Sequence, residues 1–130
     1  MIRILLDTNA YSAFKKGDQD IVEICRRADE IFMPVPVLAE LRSGFKNGSK
    51  EQKNLDELHA FTFSPRVRIP VMSEQTALFY AEIYTSLKAQ GNPIPVNDIW
   101  IAACTLESGA VLITRDAHFR RIPGLLVNAV

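Results

Sequence analysis

Three short runs dominated by apolar residues, Ile4-Leu5-Leu6, the segment 31–35 and Val111-Leu112-Ile113-Thr114, set the tightest limit on how this chain folds. None alternates polar with apolar positions, so a strand built from any of them buries both of its faces. Between them, apolar residues recur at three- and four-residue offsets. Examples are Ile21, Ile24 and Cys25; Val37, Leu38, Leu41 and Phe45; Phe79, Tyr80, Ile83, Tyr84 and Leu87; and Ile99, Ala102, Ala103 and Leu106. Those offsets predict amphipathic helices. Doubly buried strands alternating with helices imply an α/β fold: a three-layer α/β/α sandwich around a mostly parallel sheet.

Strands are predicted at 2–6, 31–35, 111–114 and 125–127, with a proline-bounded candidate at 66–71. Helices are predicted at 10–16, from Asp18 or Asp20 onward, from Pro36 through Phe45, at 51–60, from a Ser73 cap to Gln90, and at 96–108 with Gly109 as C-cap. Residues 117–121 read as a single turn, and 51–60 as a largely solvated helix. A length of 130 residues suits one domain spanning 1–130, and 48% hydrophobic with 23% charged residues excludes a disordered chain.

Fifteen Lys and Arg balance fifteen Asp and Glu, so no overall charge draws the chain to nucleic acid; such a contact needs a local basic patch. Cys25 and Cys104 lack metal-ligand spacing and read as buried, reduced thiols. The short apolar start, interrupted by Asp7, is no signal peptide, and no segment reaches the ~20 apolar residues of a membrane helix. The expectation is a cytoplasmic protein.

Four acids stand where strands end or helices begin. Asp7 closes the first apolar run and Asp116 follows the run at 111–114. Glu40 lies at the border of an apolar helical stripe, and Asp98 opens the helix at 96–108. In parallel α/β sheets ligands bind outside the carboxyl ends of the strands, where these acids would collect. Each also has a local reading: Asp7 and Asp116 as caps or turn residues, Glu40 as a polar flank, Asp98 as an anion favoured by the helix dipole, which would lower its pKa. Gathered at one edge, four carboxylates repel one another and are costly to desolvate. A hard divalent cation converts that repulsion into binding, and its chemistry is with phosphates.

The segments Leu5-Leu6-Asp7-Thr8-Asn9, Pro36-Val37-Leu38-Ala39-Glu40-Leu41, Asn97-Asp98-Ile99-Trp100-Ile101-Ala102-Ala103 and Leu112-Ile113-Thr114-Arg115-Asp116-Ala117-His118-Phe119 resemble, in order, the four motifs of PIN-domain ribonucleases. Ile122-Pro123-Gly124-Leu125 is similar to the usual ending of that family. The length and motif variants look most like VapC-type toxins of type II toxin–antitoxin systems. The resemblance implies a PIN-like fold and a metal-dependent endoribonuclease that hydrolyses phosphodiester bonds of a structured RNA such as a tRNA. By the same resemblance Asp7, Glu40, Asp98 and Asp116 form the catalytic quartet that holds Mg²⁺ or Mn²⁺. Thr8, Asn9 and Thr114 are supporting polar residues. The implied partners are a cognate antitoxin, whose terminal segment covers the site, and a second copy of the chain in a homodimer.

The flanking phosphates of an RNA need positive groups. Arg115, beside Asp116, and Arg42 and Lys46, at near-helical spacing, are the candidates, with an ion pair or a solvated face as the alternative. An apolar groove formed by Ile21, Ile24, Leu41 and Phe45 would suit the antitoxin segment, or these residues are core. His118 reads as a surface or packing histidine, because a bound metal already supplies the nucleophile. Trp100 points away from the main stripe of its helix, toward another edge or a partner. A phosphotransferase using Asp7 as nucleophile wants a second acid two residues on, where this chain has Asn9. A non-toxin nuclease of RNA processing and a non-catalytic metal-binding regulatory domain are the other readings.

Overall fold

Leu5 and Leu6 lie at the centre of a five-stranded, all-parallel sheet in the computed structural model, which describes residues 1–129. The strands are β1 (Arg3–Leu6), β2 (Glu30–Phe32), β3 (Val67–Arg68), β4 (Val111–Thr114) and β5 (Val127–Ala129), in the order β3-β2-β1-β4-β5. Central β1 pairs on both sides: Ile4 is in register with Ile31 and Val111, and Leu5 with Phe32 and Leu112. Both faces of β1 and β4 are therefore covered, as their unbroken apolar sequences require.

Six helices connect the strands: α1 (Thr8–Lys15), α2 (Gln19–Arg27), α3 (Val35–Lys46), α4 (Glu51–Phe63), α5 (Glu74–Gln90) and α6 (Val96–Ser108). Right-handed crossovers place α1–α4 on one face of the sheet and α5–α6 on the other. α6 buries Ile99, Ile101, Ala102, Ala103, Cys104 and Thr105, most of its circumference, which suits a helix held between β4 and α5. Its observed bounds match the expected 96–108, and Gly109 takes the left-handed conformation that ends it. Ser73 and Thr76 form a reciprocal capping box at the start of α5. A 3-10 turn (Ala117–Arg121) follows β4, pinned by fully buried Phe119.

Several expectations are corrected. The strand expected at 31–35 stops at Phe32, because Pro34 and Pro36 carry no N–H for a ladder and instead introduce α3. The candidate at 66–71 shrinks to the two residues of edge strand β3, and the last strand lies at Val127–Ala129 instead of 125–127. α1 begins at Thr8, two residues early, because Asp7 itself is the cap. α4 runs on to Phe63 and is largely solvated as expected, with Leu58 its one buried residue and the Phe61 ring meeting Tyr11 and Phe14 edge-on at 5.3 and 5.2 Å. Of the two readings of Ile21, Ile24, Leu41 and Phe45, the core one fits: Ile21 and Leu41 are buried, and Ile24 and Phe45 are partly buried against the core. Trp100 packs on Tyr80 of α5, ring centroids 4.2 Å apart. Cys25 and Cys104 are buried and unbridged, as expected. No helix among the described residues is long and apolar enough to cross a membrane.

Candidate active site

The strand order reverses between β1 and β4, since the chain winds outward through β2 and β3 and then returns to β4 and β5. Adjacent crossovers leave there on opposite faces and open a crevice at the carboxyl ends. Asp7 is the residue after β1, and Asp116 lies two residues past β4. Asp98 enters from the first turn of α6, and Glu40 from the second turn of α3. All four line one open cleft of about 220 Å³, together with Thr8, Asn9, Pro95 and Ile101. Positions separated by up to 109 residues, from Asp7 to Asp116, thus meet in one place.

Each acid is held in its own way. Asp7 is buried at 4% exposure; its Oδ1 accepts the backbone N–H of Ala10 at 2.8 Å, and its Oδ2 accepts the hydroxyl of Thr114. It caps α1 and lines the cleft at once, so capping does not compete with a place in the cleft. Glu40 is exposed and accepts the hydroxyl of Thr8. The backbone N–H of Asp116 donates to Thr114 Oγ1 at 3.0 Å. Asn97, next to Asp98, donates its side-chain amide to the Pro36 carbonyl at 3.3 Å and so ties the start of α6 to the helix that carries Glu40. His118 Nε2 lies 2.9 Å from Asp98 Oδ2. His118 is thus a packed histidine, as one of its two readings had it, with a partner the sequence does not name. Only its place two residues beyond Asp116 hinted at it, because the partner is 20 residues away in sequence.

The electrostatics follow from this crowding. Burial raises the Asp7 carboxyl above its ordinary value, with the negative charges of Asp116 and Asp98 adding to the rise; Thr114 and Ala10 oppose it. Asp98 is also raised, first by burial and then by Glu40 and Asp116, against the opposing bond to His118. The helix dipole was expected to lower Asp98, and desolvation outweighs it. No Lys or Arg lines the cleft. Arg115 forms an ion pair with Asp18 at the start of α2, Lys46 pairs with Glu51 at 3.4 Å, and Arg42 is exposed.

Four carboxylates with neutral oxygen donors, and no sulfur or basic group in the lining, are the donor set of a hard divalent cation. Asp7, Glu40, Asp98 and Asp116 are the residues able to hold it. Among the described residues, no three Asp, Glu, His or Cys side chains are drawn close enough to close around an ion.

Fold and cleft together define a class: parallel α/β proteins that gather acids at the point where strand order reverses. The chain belongs to the PIN domain family, whose model matches residues 4–125. It is 31% identical over 129 residues to ribonuclease VapC2 of Rickettsia felis, with 95% of each chain covered. Its fold matches a crystal structure of VapBC2 from Rickettsia felis bound to a promoter DNA fragment, with a TM-score of 0.86, 28% identity and 99% of each chain covered. VapBC-1 from nontypeable Haemophilus influenzae matches equally well in fold, with a TM-score of 0.86, 31% identity and 98% of each chain covered.

Proposed function

We propose that this chain is the toxin of a toxin–antitoxin pair and acts as a divalent-metal-dependent endoribonuclease in the cytoplasm. The observation that carries this reading is the convergence of Asp7, Glu40, Asp98 and Asp116 on one cleft whose lining holds no positive side chain. Family membership and likeness to named VapC ribonucleases along almost the whole chain supply the reaction class and the partner. Mg²⁺ or Mn²⁺ is the cation this donor set selects. The antitoxin is the protein partner, an RNA the substrate, and a homodimer the assembly.

Bound among these carboxylates, the cation supplies Lewis-acid activation of water and neutralises phosphate charge. The protein's own share is placement. Asp7, fixed by Ala10 and Thr114, forms the buried floor of the cleft, while Glu40, oriented by Thr8, forms its exposed rim. Pro95 and Ile101 supply apolar wall that excludes part of the solvent. Since no lining residue is basic, positive groups outside the cleft must hold the RNA backbone, with Arg115, Arg42 and Lys46 as candidates.

Hydrolysis by activated water needs no 2′-hydroxyl attack and leaves 5′-phosphate and 3′-hydroxyl ends. End-group analysis of the cleaved RNA tests this, and 2′,3′-cyclic phosphate ends would refute the route.

A further inference from the structure

His118 is the one histidine that touches the acidic quartet, and it does so from outside the cleft. The cleft lining does not include it, yet its Nε2 stands 2.9 Å from Asp98 Oδ2. This is no pair of mobile surface chains, because the two side chains keep only 26% and 16% of their exposure. The histidine sits on the 3-10 turn, which is anchored by buried Phe119, and the two rings lie 4.8 Å apart at 41°. Asp98 sits on α6, so the contact joins α6 to the turn that Asp116 immediately precedes. We infer that His118 is a positioning residue: its Nε2–H holds Asp98 Oδ2, turns the other oxygen toward the cleft, and sets the spacing between Asp98 and Asp116.

The inference rests on the metal-dependent reading above and adds a residue to it. A carboxylate that is free to rotate must be ordered when a cation binds, and a fixed donor removes that cost in advance. His118 therefore acts on metal affinity through Asp98, without touching metal or RNA. The donor atom is what matters. Glutamine places an amide nitrogen at nearly the reach of Nε2, whereas alanine places nothing there.

The test is Mn²⁺ binding to full-length, antitoxin-free protein, followed by the loss of the free-ion paramagnetic resonance signal, for wild type, His118→Ala, His118→Gln and Asp98→Asn. Unfolding of the metal-free proteins is measured alongside. The expected result is a loss of affinity of about 10–100-fold in His118→Ala, largely restored in His118→Gln, with little change in metal-free stability. Wild-type affinity in His118→Ala would overturn the positioning role. So would equal losses in both histidine variants that track lowered metal-free stability, since those describe a structural contact only. Wild-type protein that binds no Mn²⁺, or binds it no better than Asp98→Asn, would instead defeat the metal reading itself.

Discussion

The Thr114 side chain lies between two acids of the cleft: its hydroxyl donates to Asp7 and accepts the backbone N–H of Asp116 at 3.0 Å. One buried oxygen at the end of β4 thereby couples the residue after β1 to the residue two beyond β4. The contact explains how a carboxylate as buried as Asp7 is retained at the sheet edge, because hydrogen bonds to the charged form offset part of its desolvation.

Thr114→Val keeps the shape of the side chain and removes both bonds. The expected cost is about 1–3 kcal/mol, as for other buried polar groups left without a partner. The variant should also bind Mn²⁺ more weakly, because Asp7 loses its main restraint on the cleft side. Denaturant unfolding checks the first effect and a metal titration the second. Unchanged values in both would remove Thr114 from the account.

The pH dependence has a definite sign. Asp7 and Asp98 are both raised above their ordinary value of 3.8. Between that value and the raised ones, the folded protein holds protons that the unfolded chain has released. Stability contributed by these groups is thus present at low pH and lost as pH rises through the window. Asp7→Asn keeps an acceptor for the Ala10 N–H, reverses the Thr114 contact so that the amide N–H donates to Thr114 Oγ1, and cannot ionise. The metal-free variant should match wild type near pH 4 and exceed it near pH 7, while added Mg²⁺ should raise Tm at about pH 7 for wild type and not for the variant. Thermal scans at both pH values decide this. A variant less stable than wild type at neutral pH without metal would contradict it.

Arg115 distinguishes an ion pair from a substrate contact. Its pair with Asp18 leaves the two side chains 45% and 28% exposed and open to screening by solvent, so losing it should leave stability nearly unchanged. If Arg115 meets an RNA phosphate, Arg115→Ala weakens RNA binding and lowers the salt slope of log K by about 0.7. Binding isotherms at several salt concentrations, made with Asp98→Asn to prevent cleavage, give the slope directly. An unchanged slope leaves Arg115 as the partner of Asp18 alone.

Much of the fold is written in local pattern. β1 and β4 are legible because central parallel strands carry unbroken apolar residues, and α6 because its apolar offsets run from Ile99 to Leu106 and Gly109 marks its end. The edge strands are not legible in the same way. β2 and β3 are shortened by flanking prolines and end where tertiary pairing stops, which no local rule specifies. Leu55, Leu58 and Phe61 did repeat at a helical offset in α4, but the charged residues around them concealed the buried side. In the candidate site, Asp7, Asp98 and Asp116 could be found from their places at element boundaries, and Glu40 from the border of its helical stripe. Thr8 and Thr114 are reachable through the family resemblance, whereas the pairings of His118 with Asp98 and of Asn97 with Pro36 arise only once the sheet forms.

The most direct measurement is incubation of purified, antitoxin-free protein with total RNA in Mg²⁺ or Mn²⁺, beside an EDTA control and the Asp98→Asn variant. Wild type should give discrete fragments that disappear in both controls. Cleavage that persists with EDTA or with Asp98→Asn would contradict the central claim. So would intact RNA from a wild-type protein that demonstrably binds the metal, and the quartet would then be a structural or regulatory cation site.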